Sequence, residues 1–207
     1  MSDIVLYDYW RSSASYRVRI ALNLKQLDYQ SKVVDLAAGE KLVSHNPQGY
    51  VPALIINGQT LTQSLSIIEY LDELYPPPPL LGETAEARQC IRALAHVIAM
   101  DIHPVCNLNV VNYASNLAPD SDAVKGDWMK HFIGKGLTAL EQLINDSSSG
   151  SFCYGDYPTL ADICLMPQIY NADRWGFDIS PLTRISRIGR QCAKIEAFQN
   201  AYPDAVR

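Results

Sequence analysis

The fold of this chain is decided by residues 9–22, which read Tyr-Trp-Arg-Ser-Ser-Ala-Ser-Tyr-Arg-Val-Arg-Ile-Ala-Leu. The apolar run before them, residues 4–7, is long enough for a buried strand. Within the quoted stretch, Ala14, Val18 and Leu22 recur at the spacing that places side chains on one face of a helix. The stretch therefore predicts a strand that passes through a short turn into a helix.

The predicted turn is rich in serine. Ser12, Ser13 and Ser15 lie where the helix is expected to begin, and Arg11 precedes them. The first N–H groups of a helix have no partner within it, and the aligned peptide dipoles add positive charge, so an anion such as a thiolate is stabilised there. A serine before a helix is also a frequent N-cap, which contributes about 1 kcal/mol to stability. The serines alone leave both interpretations open.

Composition disfavours several classes of protein. The 207 residues carry a net charge of −5, which gives no general attraction to nucleic acid or to an anionic membrane. No apolar stretch approaches the ~20 residues of a membrane span. The first apolar run carries Asp3 and Asp8 and follows no basic segment, unlike a secretory signal. We therefore expect a cytoplasmic protein with neither nucleic-acid nor membrane partners.

The five cysteines all lie after residue 89. They are Cys90, Cys106, Cys153, Cys164 and Cys192. Their spacing matches neither a Cys-x-x-Cys pair nor a zinc site, so we expect reduced thiols and no metal. Because the first 89 residues contain no cysteine, a disulfide oxidoreductase is disfavoured. Any nucleophilic thiol that works at Ser12 must therefore belong to a bound small molecule.

Strand and helix signals then follow in the order of a thioredoxin-like lobe. A second strand around Val33 completes a βαβ unit. Asn57-Gly58 between two strand-like runs indicates a hairpin. A helix begins near Gln63, with Leu65, Ile68, Leu71 and Leu74 on its apolar face. Residues 1–75 are thus predicted to form a βαβ–ββα domain with a mixed sheet.

The second half of the chain is helical in pattern. Four prolines at residues 76–79 predict a stiff linker over residues 76–84. Residues 85–207 are predicted to form an all-helical domain, so the fold class is α+β in two domains.

Two local signals describe that helical half further. The first helix is expected to run from about residue 85 to residue 113, with a bend near Pro104. Thr159-Leu-Ala-Asp162 fits a capping box, with Thr159 as N-cap and Asp162 three residues later. We therefore expect another helix to begin there.

This domain order resembles that of the cytosolic glutathione transferases. Several motifs narrow the resemblance to the zeta class, the maleylacetoacetate isomerases, and to the related maleylpyruvate isomerases. The motifs span nearly the whole chain in the family's order; they are residues 11–22, 46–54 (Asn-Pro-Gln-Gly-Tyr-Val-Pro-Ala-Leu), 63–71 (Gln-Ser-Leu-Ser-Ile-Ile-Glu-Tyr-Leu), 101–104 (Asp-Ile-His-Pro) and 155–162 (Gly-Asp-Tyr-Pro-Thr-Leu-Ala-Asp). The resemblance implies a glutathione transferase fold, glutathione as the cofactor and a homodimer.

The resemblance also implies the site residues. Ser12 is expected to face the glutathione sulfur, with Ser13 and the Ala14 amide beside it, and Arg11 is expected to assist catalysis. Tyr7 is the rival hydroxyl, because other transferase classes use a tyrosine near the end of the first strand. The further glutathione contacts implied are Val51 and Pro52 in a cis-proline turn, Gln63 and Ser64 at a helix start, and His103, Asn107, Asn109 and Lys41. The residues implied to bind the substrate are Arg11, Arg174 and His103.

Each of these residues also has a structural interpretation. Pro52 is then a trans proline at the start of a strand, and Gln63 with Ser64 is a helix cap. Arg174 is then a solvated surface charge, and His103 before a proline is a structural histidine.

The reaction implied is a glutathione-dependent cis–trans isomerisation. Glutathione thiolate adds to the cis double bond of a dicarboxylic keto acid, the new single bond rotates, and the thiolate leaves. Maleylacetoacetate, from aromatic amino acid catabolism, is the first candidate substrate. The alternatives are a maleylpyruvate isomerase, a general glutathione transferase acting on small electrophiles, and a non-catalytic transferase-like binding protein.

The chain departs from the family pattern at three places. Ala14 stands where the zeta signature usually has cysteine. Leu108-Asn109 stands where related isomerases often carry arginine, which removes one candidate anchor for a substrate carboxylate. The stretch over residues 35–46 is shorter than usual, so the Lys41 contact is carried over only weakly.

Overall fold

The first apolar run forms an inner strand of a four-stranded sheet in the computed structural model of the chain. The strands are β1 (Val5–Asp8), β2 (Gln30–Val33), β3 (Ala53–Ile56) and β4 (Gln59–Thr62), in the order β2-β1-β3-β4. β1 is parallel to β2 and antiparallel to β3. Helices α1 (Ser13–Leu24) and α2 (Ser64–Leu74) complete the order βαβ–ββα. The predicted thioredoxin-like arrangement with a mixed sheet is confirmed.

The structure describes residues 4–36, 38–40, 42–117, 120–144 and 148–207. The chain divides into two compact units, one of Met1–Leu80 with Ala193–Arg207 and one of Leu81–Cys192. The second unit is shorter than the helical domain predicted over residues 85–207, because the last residues pack on α1. There the Asn23 side-chain amide donates to the carbonyl of Ala197 at 3.0 Å. The limits 1–75 for the first domain and 76–84 for the linker stay predictions.

The hairpin forms where the sequence predicts it, and the second helix forms with a different buried face. Asn57 and Gly58 have φ of 51° and 73°, as a two-residue hairpin turn requires. Leu74, predicted to lie on the apolar face of α2, is 43% exposed. Asp72 is buried in that last turn instead, because its carboxylate pairs with Lys25.

A buried ion pair joins β1 to α1. Arg19 donates through Nη1 to both carboxylate oxygens of Asp8, at 2.7 and 2.9 Å, and its side chain is 1% exposed. Its Nε donates to the carbonyl of Ala201 at 3.1 Å, and its Nη2 donates to the carbonyl of Trp10 at 3.0 Å. A buried charge needs such partners, since an isolated one is strongly disfavoured away from water. The pair thus ties the end of β1, the following turn and the last residues of the chain to one side chain.

A second buried cation anchors the proline run. Lys25 Nζ donates to Asp72 at 2.7 Å and to the carbonyls of Tyr75 and Pro78, each at 2.6 Å. Asp72 also accepts from the N–H of Leu80 at 2.8 Å. The prolines are therefore held against the ends of α1 and α2.

The second unit is built from helices. They are α3 (Ala85–His96), α4 (His103–Val105), α5 (Leu108–Ser115), α6 (Ser121–Leu143), α7 (Leu160–Arg174) and α8 (Thr183–Cys192); α9 (Glu196–Asn200) belongs to the first unit. The single bent helix predicted over residues 85–113 is wrong, because a π-helical turn at Val97–Ile102 and a break at residues 106–107 divide it. Pro104 has no N–H to continue the α-helical ladder, and the π turn lies just before it.

The start of α7 is the capping box that the sequence predicts. The Asp162 carboxylate accepts from the N–H and the hydroxyl of Thr159, each at 2.9 Å, and from the N–H of Cys153 at 2.9 Å. Burial raises the pKa of Asp162 despite these donors. The helix then continues through Pro167 with almost all of its first half buried.

The helical stretch Ala85–Ser115 is long and apolar enough to cross a membrane by length and composition alone. A core helix of a soluble protein meets the same criterion. Ile91, Leu94, Ile98 and Ile102 of this stretch are buried within the second unit, and Asp101 interrupts its apolar run.

We expect Arg19→Met to lower the free energy of unfolding by about 3–5 kcal/mol, because it leaves the Asp8 carboxylate buried without its cation. Urea denaturation followed by circular dichroism measures the loss. The matched control is Arg190→Met on the exposed side of α8, for which we expect a change within about 0.5 kcal/mol. The double variant Asp8→Asn/Arg19→Met should lose less than Arg19→Met, and a larger loss would contradict this account.

Candidate functional site

The register of the sheet gathers three predicted segments at one edge. β1 ends at Asp8, and its Tyr7 lies opposite Ala53, the first residue of β3. Ala53 in turn lies opposite Thr62, the last residue of β4. The chain leaves or enters the sheet at this edge three times, through residues 9–12, 51–52 and 63–64. Three of the predicted glutathione-binding segments therefore lie at a common edge of the first unit.

At this edge α1 begins with Ser12 as its N-cap. The Ser12 hydroxyl accepts from the N–H of Ser15 at 3.2 Å. Within the described residues, no hydrogen bond uses the N–H of Ser13 or of Ala14. A hydroxyl that accepts one bond keeps its own proton to donate. The capping role and the anion-binding role predicted for Ser12 are therefore compatible in one geometry.

The second segment is the turn before β3. The peptide bond between Val51 and Pro52 is cis, as the family resemblance implies. Val51 is buried in a small apolar cluster against which Tyr7 and Tyr9 pack. Among the described residues, neither the N–H nor the C=O of Val51 takes part in a hydrogen bond. Because this N–H and this C=O both remain available beside the sheet, the segment is suited to pairing with an extended peptide.

The third segment is the start of α2. Gln63 has φ of 68°, a left-handed value that costs a residue with a side chain about 1–3 kcal/mol and often marks a binding site. Its side-chain amide donates to the Gln48 side chain at 2.8 Å. The N–H groups of Ser64 and Leu65 make no hydrogen bond in the described part of the chain. This start of an 11-residue helix is thus a second place for an anion.

Arg17 is a residue of this edge that the sequence-based predictions missed. It is 2% exposed, and its Nη1 donates to the Ser64 hydroxyl at 3.3 Å. The signal was present, since position 17 lies three residues after Ala14 and four before Ala21, on the apolar stripe of α1. A charged side chain at a core-facing position needs a reason, because its burial is costly.

Arg11 lies at the exposed side of the same turn. Its Nη2 donates to the hydroxyl of Tyr9 at 3.0 Å, and its guanidinium carbon lies 4.7 Å from the centre of the Trp10 ring. Arg207 approaches the same ring, at 4.9 Å. Both cations lie within the range of attraction to an indole face.

Tyr7 carries the rival hydroxyl, and its ring packs against neighbouring side chains. The Tyr7 and His45 ring centres are 4.2 Å apart, and Lys32 Nζ lies 5.5 Å from the Tyr7 ring centre. These contacts place Tyr7 in the cluster around Val51.

The remaining predicted residues lie in the second unit, except one. His103 is the first residue of α4, and Asn107 caps α5 by accepting from the N–H of Asn109 at 3.0 Å. Arg174 ends α7, exposed, with its guanidinium carbon 6.0 Å from the Tyr170 ring centre. Lys41 lies outside the described residues.

Three of the cysteines are buried and unsuited to act as nucleophiles. Burial raises the pKa of Cys106 to about 11 and raises the pKa values of Cys153 and Cys192 as well. These thiols are protonated at neutral pH. Among the described residues, no group of three His, Cys, Asp or Glu side chains is arranged to hold a metal ion.

The family model for the glutathione S-transferase N-terminal domain matches residues 6–79. The maleylacetoacetate isomerase of Rhizobium meliloti (strain 1021) is 51% identical over 210 residues, which cover 100% of this chain and 99% of that protein. Both matches include the segments that meet at the edge of the sheet.

Solved structures agree in fold over almost the full length. The holo structure of a maleyl pyruvate isomerase, a bacterial glutathione S-transferase in the zeta class, has a TM-score of 0.94 and 40% identity over 97% of either chain. The maleylacetoacetate isomerase from Anaeromyxobacter dehalogenans 2CP-1, with glutathione bound in its active site, has a TM-score of 0.89 and 39% identity over 98% of this chain and 95% of its own. Another structure of that protein holds dicarboxyethyl glutathione and citrate in the active site. With this identity carried across both units, the chain belongs to the zeta class of the glutathione transferases, a family of soluble, glutathione-dependent enzymes that includes the maleylacetoacetate isomerases.

Proposed function

We propose that this chain catalyses the glutathione-dependent cis–trans isomerisation of maleylacetoacetate. The observation that carries the proposal is the start of α1, where the Ser12 hydroxyl lies beside the open N–H groups of Ser13 and Ala14. The first unit contains no cysteine, so the sulfur that this helix start stabilises belongs to glutathione. The 51% identity to a maleylacetoacetate isomerase supports the substrate.

Ordinary hydrogen-bond energies are large enough to keep the bound glutathione thiol ionised at neutral pH. A free thiol with a pKa of about 8.5 is only about 3% ionised at pH 7. A pKa lowered by about 2 units requires about 2.7 kcal/mol. One charge-assisted hydrogen bond contributes about 1.5–3 kcal/mol, and a helix terminus adds about 0.3–1 kcal/mol. Ser12 with the α1 dipole is therefore sufficient.

Other parts of glutathione fit the other segments of the edge. The open backbone of Val51, before Pro52, suits the extended cysteinyl residue. The start of α2, at Gln63 and Ser64, suits the γ-glutamyl carboxylate. His103, Asn107 and Asn109 are proposed as further contacts to glutathione.

The reaction needs no external oxidant or base. The thiolate sulfur bonds to one carbon of the cis double bond, and the π electrons move to the conjugated carbonyl, which becomes an enolate. After rotation about the new single bond, the enolate electrons re-form the double bond and the C–S bond breaks, which releases the thiolate. The protein holds the carboxylates and stabilises the enolate charge. Arg11 and Arg174, with His103, are the proposed carboxylate ligands, since guanidinium groups bind carboxylates through two parallel hydrogen bonds.

Relatives support the chemical class of the adduct. Dicarboxyethyl glutathione, bound by the Anaeromyxobacter isomerase, carries one carboxylate on the carbon bonded to sulfur and a second on the adjacent carbon. A thiolate adduct of maleylacetoacetate carries a carboxylate and an acyl group on the same two positions. Maleylpyruvate is the second candidate substrate, because a maleyl pyruvate isomerase shares the fold with a TM-score of 0.94. We place the enzyme in the cytoplasm, where glutathione is kept reduced.

Purified protein incubated with each acid tests the substrate. We expect loss of the absorbance of maleylacetoacetate only when glutathione is present, with glutathione recovered unchanged, because the thiolate is expelled after rotation. Faster turnover of maleylpyruvate would assign the second substrate. Conjugation of a generic electrophile without turnover of either acid would contradict the isomerase function.

We expect Ser12→Ala to raise the pKa of the bound glutathione thiol by about 1–2 units, the equivalent of the lost charge-assisted hydrogen bond. Turnover at pH 7 should fall about 3- to 25-fold in consequence, because the thiolate fraction falls by that factor when the thiol pKa rises from about 6.5. Titration of thiolate absorbance in the binary complex measures the pKa, and Ser12→Thr should retain most of the effect.

Tyr7→Phe is the matched control for that titration, since it removes the rival hydroxyl and keeps the ring. The pKa of glutathione bound to this variant should equal that of glutathione bound to the wild type. A raised pKa in Tyr7→Phe together with an unchanged one in Ser12→Ala would transfer the role to Tyr7.

A symmetric homodimer is the assembly we propose. Arg88, Arg92 and His96 follow each other at four-residue intervals on α3 and line a shallow surface concavity of about 510 Å³. Glu69 and Glu73 are spaced alike on α2. Opposite charges at equal spacing on two helices suit contact between two copies of the chain, α3 of one against α2 of the other.

We expect Arg88→Glu to shift the protein toward the monomer, and Glu73→Arg to do the same, because each reversal juxtaposes like charges. The double variant should recover the dimer. Size-exclusion chromatography with light scattering measures the state, and Arg190→Glu is the control for charge reversal. Dimers of unchanged affinity in both single variants would place the contact elsewhere.

A further inference from the structure

The last residues of the chain run along α1 from its final turn back to the turn that precedes it. Four contacts join the two segments, and their residue numbers fall along the helix while they rise along the last residues. In order, the contacts pair Asn23 with Ala197, Arg19 with Ala201, Tyr16 with Tyr202 and Trp10 with Arg207. Arg207 therefore lies at the turn that leads into α1.

This turn is held in place on both sides. The N–H of Ser12 donates to the carbonyl of Tyr9 at 2.9 Å and so closes the turn. Trp10 and Arg11 are its two central residues. The carbonyl of Trp10 accepts from the buried Arg19 guanidinium at 3.0 Å. The position of Trp10, directly before the N-cap of α1, is therefore fixed.

Two guanidinium groups lie against the Trp10 ring. The guanidinium carbons of Arg11 and Arg207 are 4.7 and 4.9 Å from the ring centre. Both side chains are exposed, and among the described residues no carboxylate forms an ion pair with either of them. Attraction to an aromatic ring leaves most of the five N–H groups of a guanidinium available. Each of the two cations can therefore bind a carboxylate through two parallel hydrogen bonds.

Local positive charge matters in this protein because its net charge is −5. The candidate acids carry two carboxylates and are dianions at neutral pH, so the protein as a whole repels them. A neutral electrophile meets no such repulsion. Two cations beside the start of α1 offset the repulsion locally, because a carboxylate within about 8 Å, the Debye length at physiological ionic strength, is attracted before salt screens the charges.

We infer that Arg207 is a substrate-binding residue: held on the Trp10 ring beside Arg11, it binds a carboxylate of the substrate and selects dianionic acids over neutral electrophiles. The inference rests on the proposed function, since it concerns the same substrate. It adds to Arg11 a second cation from the opposite end of the sequence. Ser12 sets the ionisation of the thiol, whereas Arg207 sets which electrophile reaches that thiol.

The test compares two electrophiles that share a cis double bond. The acid that the wild type isomerises, maleylacetoacetate or maleylpyruvate, carries two negative charges, whereas dimethyl maleate accepts the same thiolate and carries none. In Arg207→Gln, kcat/KM for the acid should fall about fivefold at low ionic strength, mainly through KM, as expected for the loss of one exposed ion pair. The value for dimethyl maleate should stay within about twofold, because the ester has no carboxylate to bind. Arg190→Gln, which removes an exposed arginine of α8, is the matched control and should change neither value.

Ionic strength gives a second readout. At about 0.5 M salt, the difference in kcat/KM for the acid between wild type and Arg207→Gln should shrink to less than about twofold, because salt screens exposed charges. Trp10→Leu removes the ring that holds both guanidinium groups and should reproduce the loss for the acid. Trp10→Phe keeps an aromatic face and should lose less.

The outcomes separate the role of Arg207 from the proposed function. Equal losses for the acid and the ester in Arg207→Gln, or a loss that salt does not reduce, would overturn the inference and assign Arg207 to packing. If the wild type isomerises the acid and Arg207→Gln does so equally well at low ionic strength, only the role of Arg207 fails. If the wild type isomerises neither acid, the proposed function fails and the inference fails with it.

Discussion

The contact of the Arg19 guanidinium with the Asp8 carboxylate is the constraint on which the site depends. It lies where β1 ends, and the same guanidinium also holds the carbonyls of Trp10 and Ala201. The turn between strand and helix is therefore held from the core by a single buried side chain. Because the turn is fixed, α1 begins at a defined place beside the cis-proline turn, and its first N–H groups stay open for a ligand. Burial makes this arrangement rigid, since neither charge tolerates the loss of the other.

Three arginines of one short segment have three different environments. Arg19 is neutralised by Asp8 and holds the fold together. Arg17 is buried and donates to the Ser64 hydroxyl at the start of α2. Arg11 is exposed, with its guanidinium carbon 4.7 Å from the centre of the Trp10 ring. No acidic residue lies in the first turn of α1, so no side chain of that turn opposes the field of the helix dipole, which attracts anions. That field suits a ligand with two carboxylates and a thiolate.

Two helix starts lie at this edge of the sheet, and their ordinary structural roles are compatible with binding an anion. Ser12 caps α1 with a lone pair of its oxygen and retains its own proton to donate to a ligand. At α2 the left-handed conformation of Gln63 takes the place of a side-chain cap, so the first amides of that helix are left open. The buried, protonated cysteines take no part. Glutathione therefore brings the reactive atom, and the chain brings donors and positive charge.

Local signals determined much of this protein from its sequence alone. The Asn57-Gly58 hairpin, the Ser12 N-cap and the Thr159–Asp162 capping box each depend on residues within a few positions of one another, and each is confirmed. Only the tertiary structure decided the rest. The buried face of α2 differs from the predicted one, because Asp72 is buried in an ion pair with Lys25. The tertiary structure also brought Arg17 to Ser64 and Arg19 to Ala201, contacts that span 47 and 182 positions. Periodicity shows which side chains face inward, but the partner of a buried charge is chosen by the packing of distant segments, since burial requires a partner without specifying its place in the chain.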